Sequence, residues 1–232
     1  MSLKEIIKKN PRLLYIVAFV HNIIFLSYPL IPILTGKLKC RGVFLRRTTF
    51  RIKGKGSHVE IAPMTVLRNT SITTSGADCC VVICGGRIYG TKLVLEDDKS
   101  SIRIGRHFYM GSGHIASTEG QAIIIGDNCM FSNDIEIRNG DSHSIIDMKN
   151  GIRTNDAKSV VIGNHVWLTA HTRVLKGSLI PDSCIIGNSA IVSGRLEKSH
   201  AIYGGHPLQV LKENITWNRD RYNHNPTHVL MS

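Results

Sequence analysis

No two cysteines in this chain are spaced as CxxC, and that absence sets a zinc cluster aside. The six thiols, Cys40, Cys79, Cys80, Cys84, Cys129 and Cys184, lie mostly in apolar strand-like runs such as "CCVVIC". They read as buried reduced thiols in a reducing compartment. No zinc finger and no aromatic-plus-basic RNA-binding motif occurs either. Acidic residues are few: 17 Asp and Glu stand against 29 Lys and Arg in 232 residues, a net charge of +12. Such a balance favours anionic partners, whether phosphates, acidic glycans, nucleic acid or a membrane surface, without choosing among them. Hydrophobic content of 42% argues against disorder, and the length gives one domain with an appendage or two small domains.

Charge is missing altogether from Leu13 to Leu34, "LLYIVAFVHNIIFLSYPLIPIL", just after the basic "MSLKEIIKKNPR". Pro29 and Pro32 break the helical pattern and leave an apolar helix near Leu13–Tyr28, short for a full span. A secretory signal would need a clean small-residue cleavage site, which is not there. The segment reads as a helix lying on a membrane or packed within an oligomer, with a true span as the alternative.

What the rest of the chain does have is a beat of six. From Ile162 it runs "IGNHVW", "LTAHTR", "VLKGSL", "IPDSCI", "IGNSAI", "VSG", with Ile162, Leu168, Val174, Ile180, Ile186 and Val192 opening the blocks. Upstream, Ile104, Met110 and Ala116 hold it, and after a slip Ile125, Phe131, Ile137 and His143 hold it again. Weaker traces lie at Ile61 and Leu67, then Val82, Ile88 and Val94. A fixed short period specifies a β-solenoid: three blocks close a triangular coil, opening residues point inward, and coils pair by backbone hydrogen bonds. The "IGN" and "IGD" corners suit Gly and Asn because both tolerate positive φ. His143 holds an opening position just before the beat breaks for "SIIDMKNGIRTNDAKSV", so it either caps the column or turns outward into a site.

At "EIRNGDSH", "VVIGNHVWL", "VLKGSLIPDSCIIGNSAIV" and "YGGHPLQVLKENITW" the sequence resembles the hexapeptide-repeat acyltransferases, especially bacterial capsular polysaccharide and polysialic acid O-acetyltransferases. The resemblance covers about residues 102–217. It implies an all-β fold, a left-handed parallel β-helix. The apolar N-terminal run adds a helical extension, and the tail "KENITWNRDRYNHNPTHVL", which departs from the beat, reads as short and helical. The expected divisions are residues 1–40 for the extension, 41–204 for the β-helix with a loop excursion at 144–159, and 205–232 for the tail.

The resemblance also implies transfer of acetyl from acetyl-CoA to a glycan hydroxyl, in a homotrimer with sites between copies. His143 matches the family's catalytic histidine, with Asp141 or Glu136 orienting it. Trp167 matches the aromatic beside the acetyl-CoA groove. The family's "WIG" turn reads "WLTA" here, so the oxyanion donors would be the Thr169 and Ala170 amides. Gly187, Asn188 and Ser193 match the groove wall. The "AGxPAK" end motif reads "GGHPLQ", keeping Gly205 and Pro207 but replacing lysine by Gln209, so phosphate contact falls to Lys212 or a neighbouring base such as Arg195 or Lys198. No metal and no nucleic acid are expected. The expected place is the cytoplasm, with peripheral contact at the inner face of the plasma membrane through residues 1–35. Two alternatives remain. One is a carbonic anhydrase-like metal hydratase using His165 and His171, six apart and so on one face of successive strands. The other is a non-enzymatic membrane-associated scaffold.

Overall fold

The computed structural model describes residues 10–25 and 29–220. Three parallel sheets of seven, nine and seven strands wrap the chain into a triangular prism of about seven turns, a left-handed β-helix. Each strand pairs with its counterparts one coil above and below, so backbone polar groups are satisfied along the prism axis. Face A contains Ser101–Ile104, Ala122–Ile125, Val160–Ile162 and Leu179–Ile180. Face B contains Phe108–Met110, Met130–Phe131, Trp167–Leu168 and Ile185–Ile186. Face C contains Gly113–Ser117, Ile135–Arg138, Arg173–Val174 and Ile191–Val192.

The opening residues of the beat form the core. Ile162, Leu168, Val174, Ile180, Ile186 and Val192 are all essentially buried, as are Ile104, Met110, Ile125, Phe131 and Ile137. Ala116 is an exception: it stands in register with Val94 and Arg138 on the outer side of face C, and Ile115 takes the inward place. Phe108 and Phe131 meet edge to face at 4.9 Å inside the column. In the early coils the phase differs from the sequence reading. Val82 and Val94 point outward, and Val81, Ile83, Leu93 and Leu95 fill the core. Those coils take 21 or 22 residues where the late ones take 18, so a strict six-residue count slips there.

The corner glycines serve a different purpose from the one expected. At the A–B edge the positive φ falls on Asn128 and His165, two residues after Gly126 and Gly163. Gly126 is glycine because a Cβ there would lie 2.6 Å from the Gly163 carbonyl oxygen of the next coil. The Asp or Asn that follows reaches back one coil: Asp127, Asn164 and Asp182 accept from the amides of Arg106, Asp127 and Asn164 at 2.7–2.8 Å. "IGN" and "IGD" therefore encode coil-to-coil stacking as much as turning.

At the first coil, α1 (Pro11–Ile24) begins two residues before the expected start, with Asn10 accepting from Leu13 N. A second short helix, α2, spans Leu30–Leu34. Leu14, Ala18 and Asn22, one line of α1, are buried against the prism. Asn22 Nδ2 donates to Val43 O at 2.9 Å and its Oδ1 accepts from Leu45 N at 2.8 Å. No helix among the described residues is long and apolar enough to cross a membrane.

The C-terminal helical tail does not form among the described residues. Gln209–Lys212 instead turns back as an antiparallel strand on Ile202–Gly204, and the chain then runs extended down the A–B edge. His224 and His228 lie outside the described residues.

Candidate active site

Between Arg138 and Val160 the chain leaves the prism at its C–A edge, so that a coil of 18 residues elsewhere spans 37 here. Asn139 takes over the inward role at the break. Fully buried, it donates to Ser117 Oγ at 2.9 Å and accepts from Thr118 N at 2.9 Å. His143 follows on the excursion and is exposed. Of the two readings of its register, the outward one holds.

The residue that shapes this loop is Asn155, only 6% exposed. Its Nδ2 donates to Asp141 Oδ2 at 2.9 Å and to the His143 carbonyl at 2.8 Å. Its Oδ1 accepts from Ile145 N at 2.8 Å and Arg153 Nε at 3.1 Å. Arg153 in turn forms a two-pronged pair with Glu119 of the preceding coil, at 2.5 and 3.1 Å. Asp141 does not bond the imidazole directly. Its carboxylate receives Lys176 Nζ and Asn155 Nδ2, and these hold it below the usual carboxylate range, Lys176 contributing most. Glu136 is engaged by Arg173 at 3.2 Å on face C. Asn155 and Lys176 were missed in the sequence, because neither belongs to a motif and Lys176 reaches the loop only through stacking.

The cofactor candidates gather on another edge. Thr169 and Ala170, Gly187 and Asn188, and Gly205 occupy the B–C corner in three successive coils, linked by Ser189 N donating to Ala170 O at 3.0 Å. The Thr169 amide is already spent, donating to Ile186 O at 3.0 Å, so it is not an oxyanion donor. The Ala170 N–H makes no hydrogen bond among the described residues, which leaves it as the candidate. Trp167 lies on face B with Trp217 tilted against it at 5.9 Å. Ser193 falls on the C–A edge rather than this column, and Lys212 lies on the exposed returning strand. Arg195 and Lys198 are exposed beyond Ser193.

The third edge contains a hollow of about 850 Å³ under the tail, away from both His143 and Ala170. There the His165 ring stacks on Trp217, centroids 4.1 Å apart. His165 Nε2 donates to Trp217 O at 3.0 Å, Trp217 Nε1 donates to His165 O at 2.7 Å, and Asn128 Nδ2 donates to His165 Nδ1 at 3.0 Å. His171 stands at the next corner, bonded to Asp134 at 2.9 Å. The expectation that His165 and His171 share a face is therefore wrong: a six-residue step moves one face around the prism, not one coil along it. Among the described residues no group of three His, Cys, Asp or Glu is placed to hold a metal, and the hydratase alternative is not favoured.

No family model matches the chain. It is 33% identical over 173 residues to the polysialic acid O-acetyltransferase of Neisseria meningitidis, covering 68% of this chain and 80% of that one. It is 32% identical over 120 residues to the polysialic acid O-acetyltransferase of Escherichia coli O1:K1, covering 52% of this chain and 39% of that one. Among solved structures, that of the polysialic acid O-acetyltransferase OatWY superposes with a TM-score of 0.65 at 26% identity, over 80% of this chain and 94% of that one. A prism of hexapeptide coils, interrupted by one histidine-bearing loop, thus joins a relative matched over most of its length. The chain belongs to the hexapeptide-repeat acyltransferase family that includes the polysialic acid O-acetyltransferases.

Proposed function

We propose that the protein transfers acetyl from acetyl-CoA to a hydroxyl of a bacterial surface polysaccharide or its sugar, acidic and sialic-acid-like, with His143 as general base. One observation carries the reading: an exposed imidazole on an anchored loop at one edge, and the unbonded Ala170 amide at another. A sugar hydroxyl is a poor nucleophile at neutral pH and needs a base within hydrogen-bond reach, a task suited to histidine. His143 takes the hydroxyl proton as the oxygen attacks the thioester carbonyl. The Ala170 amide stabilises the oxyanion. The carbon–sulfur bond breaks, and the CoA thiolate recovers the proton from His143. No covalent enzyme intermediate is required.

His143 and Ala170 stand on different edges of one prism, so they meet only across a boundary between copies. A homotrimer with three such boundaries satisfies this. The loop's exposed Ile145, Ile146, Met148 and Ile152 would be covered there as well. Asp141 acts on His143 through Asn155 and the loop backbone rather than through the ring. Residues 1–40, 41–204 and 205–232 then serve as membrane-side extension, catalytic prism and tail. Residues 1–35 make peripheral contact with the inner face of the plasma membrane, where glycans are assembled on lipid carriers.

A thiol-release assay with acetyl-CoA against acidic and neutral glycans tests the reading, with turnover expected on a sialic-acid polymer. His143→Ala is expected to lower kcat by about 10²–10⁴-fold while KM for acetyl-CoA moves little. Unchanged turnover in that variant would remove His143 from the mechanism.

A further inference from the structure

The positive charge of this protein is not spread over it. Of the 29 Lys and Arg, twelve fall in the first 59 residues, against a single acidic residue there, Glu5. The remaining 17 face 16 acids and nearly cancel. The net +12 is thus almost wholly carried by the first quarter of the sequence. Between residues 10 and 59 the sequence holds nine basic residues and no acidic one.

The same end carries an apolar face. The line Leu14, Ala18 and Asn22 turns α1 toward the first coil, which leaves Ile16, Val20, Ile23 and Ile24 outward. In α2, Ile31 and Leu34 are each 75% exposed. Cations rim this surface. Arg41 lies 4.9 Å over the Tyr15 ring and Arg46 lies 4.8 Å over the Phe25 ring, so both guanidinium groups flank the helix. Arg51, Lys53 and Lys55 extend the basic rim outward and are exposed.

We infer that this end of the prism docks on an anionic bilayer surface, the outer faces of α1 and α2 entering the interface and the basic rim meeting lipid phosphates. This deepens the peripheral contact proposed above: the docking surface is composite, reaching past residue 35 into the first coils, and it is charge-selective. Two facts favour a bilayer over a second copy. A facing copy would bring two strongly basic ends together, with Lys39 ion-paired to Glu60 in each. An anionic lipid surface instead attracts each nearby cation, by about fivefold in partition per Lys or Arg. Spanning is excluded for α1, whose 14 residues reach about 21 Å against a hydrocarbon core of about 30 Å. An apolar face over a basic rim is the composition of a helix lying in the interface plane.

The test is co-sedimentation of the full chain with phosphatidylglycerol–phosphatidylcholine vesicles and with pure phosphatidylcholine vesicles. Binding at least tenfold stronger to the anionic vesicles, weakened by salt, is expected. Lys53→Glu with Lys55→Glu should remove most of that preference. Val20→Asp with Ile24→Asp should lower binding to both vesicle types at least tenfold. All these positions are exposed, so circular dichroism and thiol release from acetyl-CoA in solution should match the parent chain. Equal partition of the parent chain onto both vesicle types would overturn the proposal, and so would patch variants that still bind. A change of oligomeric mass in the Val20 and Ile24 variant, with no vesicle binding by the parent, would show that a second copy covers the face instead. Vesicle binding without thiol release would sink the enzymatic reading and leave this one standing.

Discussion

Asn155 shows how one amide can hold a long excursion from a regular stack. Its four hydrogen bonds tie Asp141, the His143 carbonyl, Ile145 and Arg153 into one knot. Asn155→Ala removes the partner of the His143 carbonyl and of the Ile145 N–H, at a net cost of about 0.5–1.5 kcal/mol for each hydrogen bond lost. We expect kcat to fall about tenfold with KM for acetyl-CoA unchanged, and the loop to be cut faster by protease; equal cutting would show that Asn155 does not hold it. Asp141 adds a pH dependence of known sign. Lys176 and then Asn155 depress its carboxyl below the ordinary 3.8, so its anchoring is complete above that value and is lost as pH falls through the lowered one. Lys176→Ala should move that loss to higher pH, measurable as protease sensitivity of the loop between about pH 3 and 5. The outward place of His143 was legible, because a polar residue at an inward register beside an interruption is conspicuous; the role proposed for it comes from the family resemblance. Asn155 and Lys176 were not, because stacking rather than spacing brings them there.

Among the elements, the extended tail is the one that sequence reasoning misjudged. A short helix is the expectation for it, yet Ile215, Trp217 and Arg219 bind successive corners of one edge. Ile215 N donates to His200 O at 2.9 Å, and the Arg219 guanidinium donates to the His107 and Cys129 carbonyls. Burial first, with the neighbouring Arg219 and His200 adding, depresses His165 below the ordinary 6.5, and the Trp217 carbonyl only partly opposes this. Folding therefore favours the neutral ring. The stabilisation is full above 6.5 and declines as pH falls from there toward the lowered value. Protonation must also break the Asn128 donation to Nδ1. Tryptic cleavage at Arg219 should accelerate on going from about pH 7.5 to about pH 5, and His165→Gln should flatten that response. A parent chain whose tail is cut equally at both values would refute the coupling. The repeats were read more easily. Coils of 18 residues keep the beat exact in the last third, whereas the four- and five-residue strands of the early coils bury alternate side chains and hide it.

For the molecule as a whole, stability accumulates coil by coil, because each coil meets only its neighbours. On face B the inward residues Met110, Phe131, Leu168 and Ile186 stand in register one above another. Phe131→Ala opens a void in the middle of that column and should cost about 3–5 kcal/mol, read as a lowered thermal midpoint. Ile191→Ala, on an exposed side chain of face C, should cost far less. The prism was legible in the beat, but its handedness came only through the family resemblance, since the period is the same for either hand. The assembly is hidden for a related reason: a repeat defines its own neighbours along the axis and says little about neighbours across an edge.

A stack of parallel rungs has no inherent last rung, and open strand edges at its ends would invite further chains to add on. Here Asn22 occupies the free carbonyl of Val43 and the free amide of Leu45 at the start, and Gln209–Lys212 reverses direction over the final rung at the other end. A newcomer in the parallel register finds no matching groove at either terminus of that sheet. On this face the strand edges that amyloid fibres extend without limit are thus covered by one amide side chain and one hairpin.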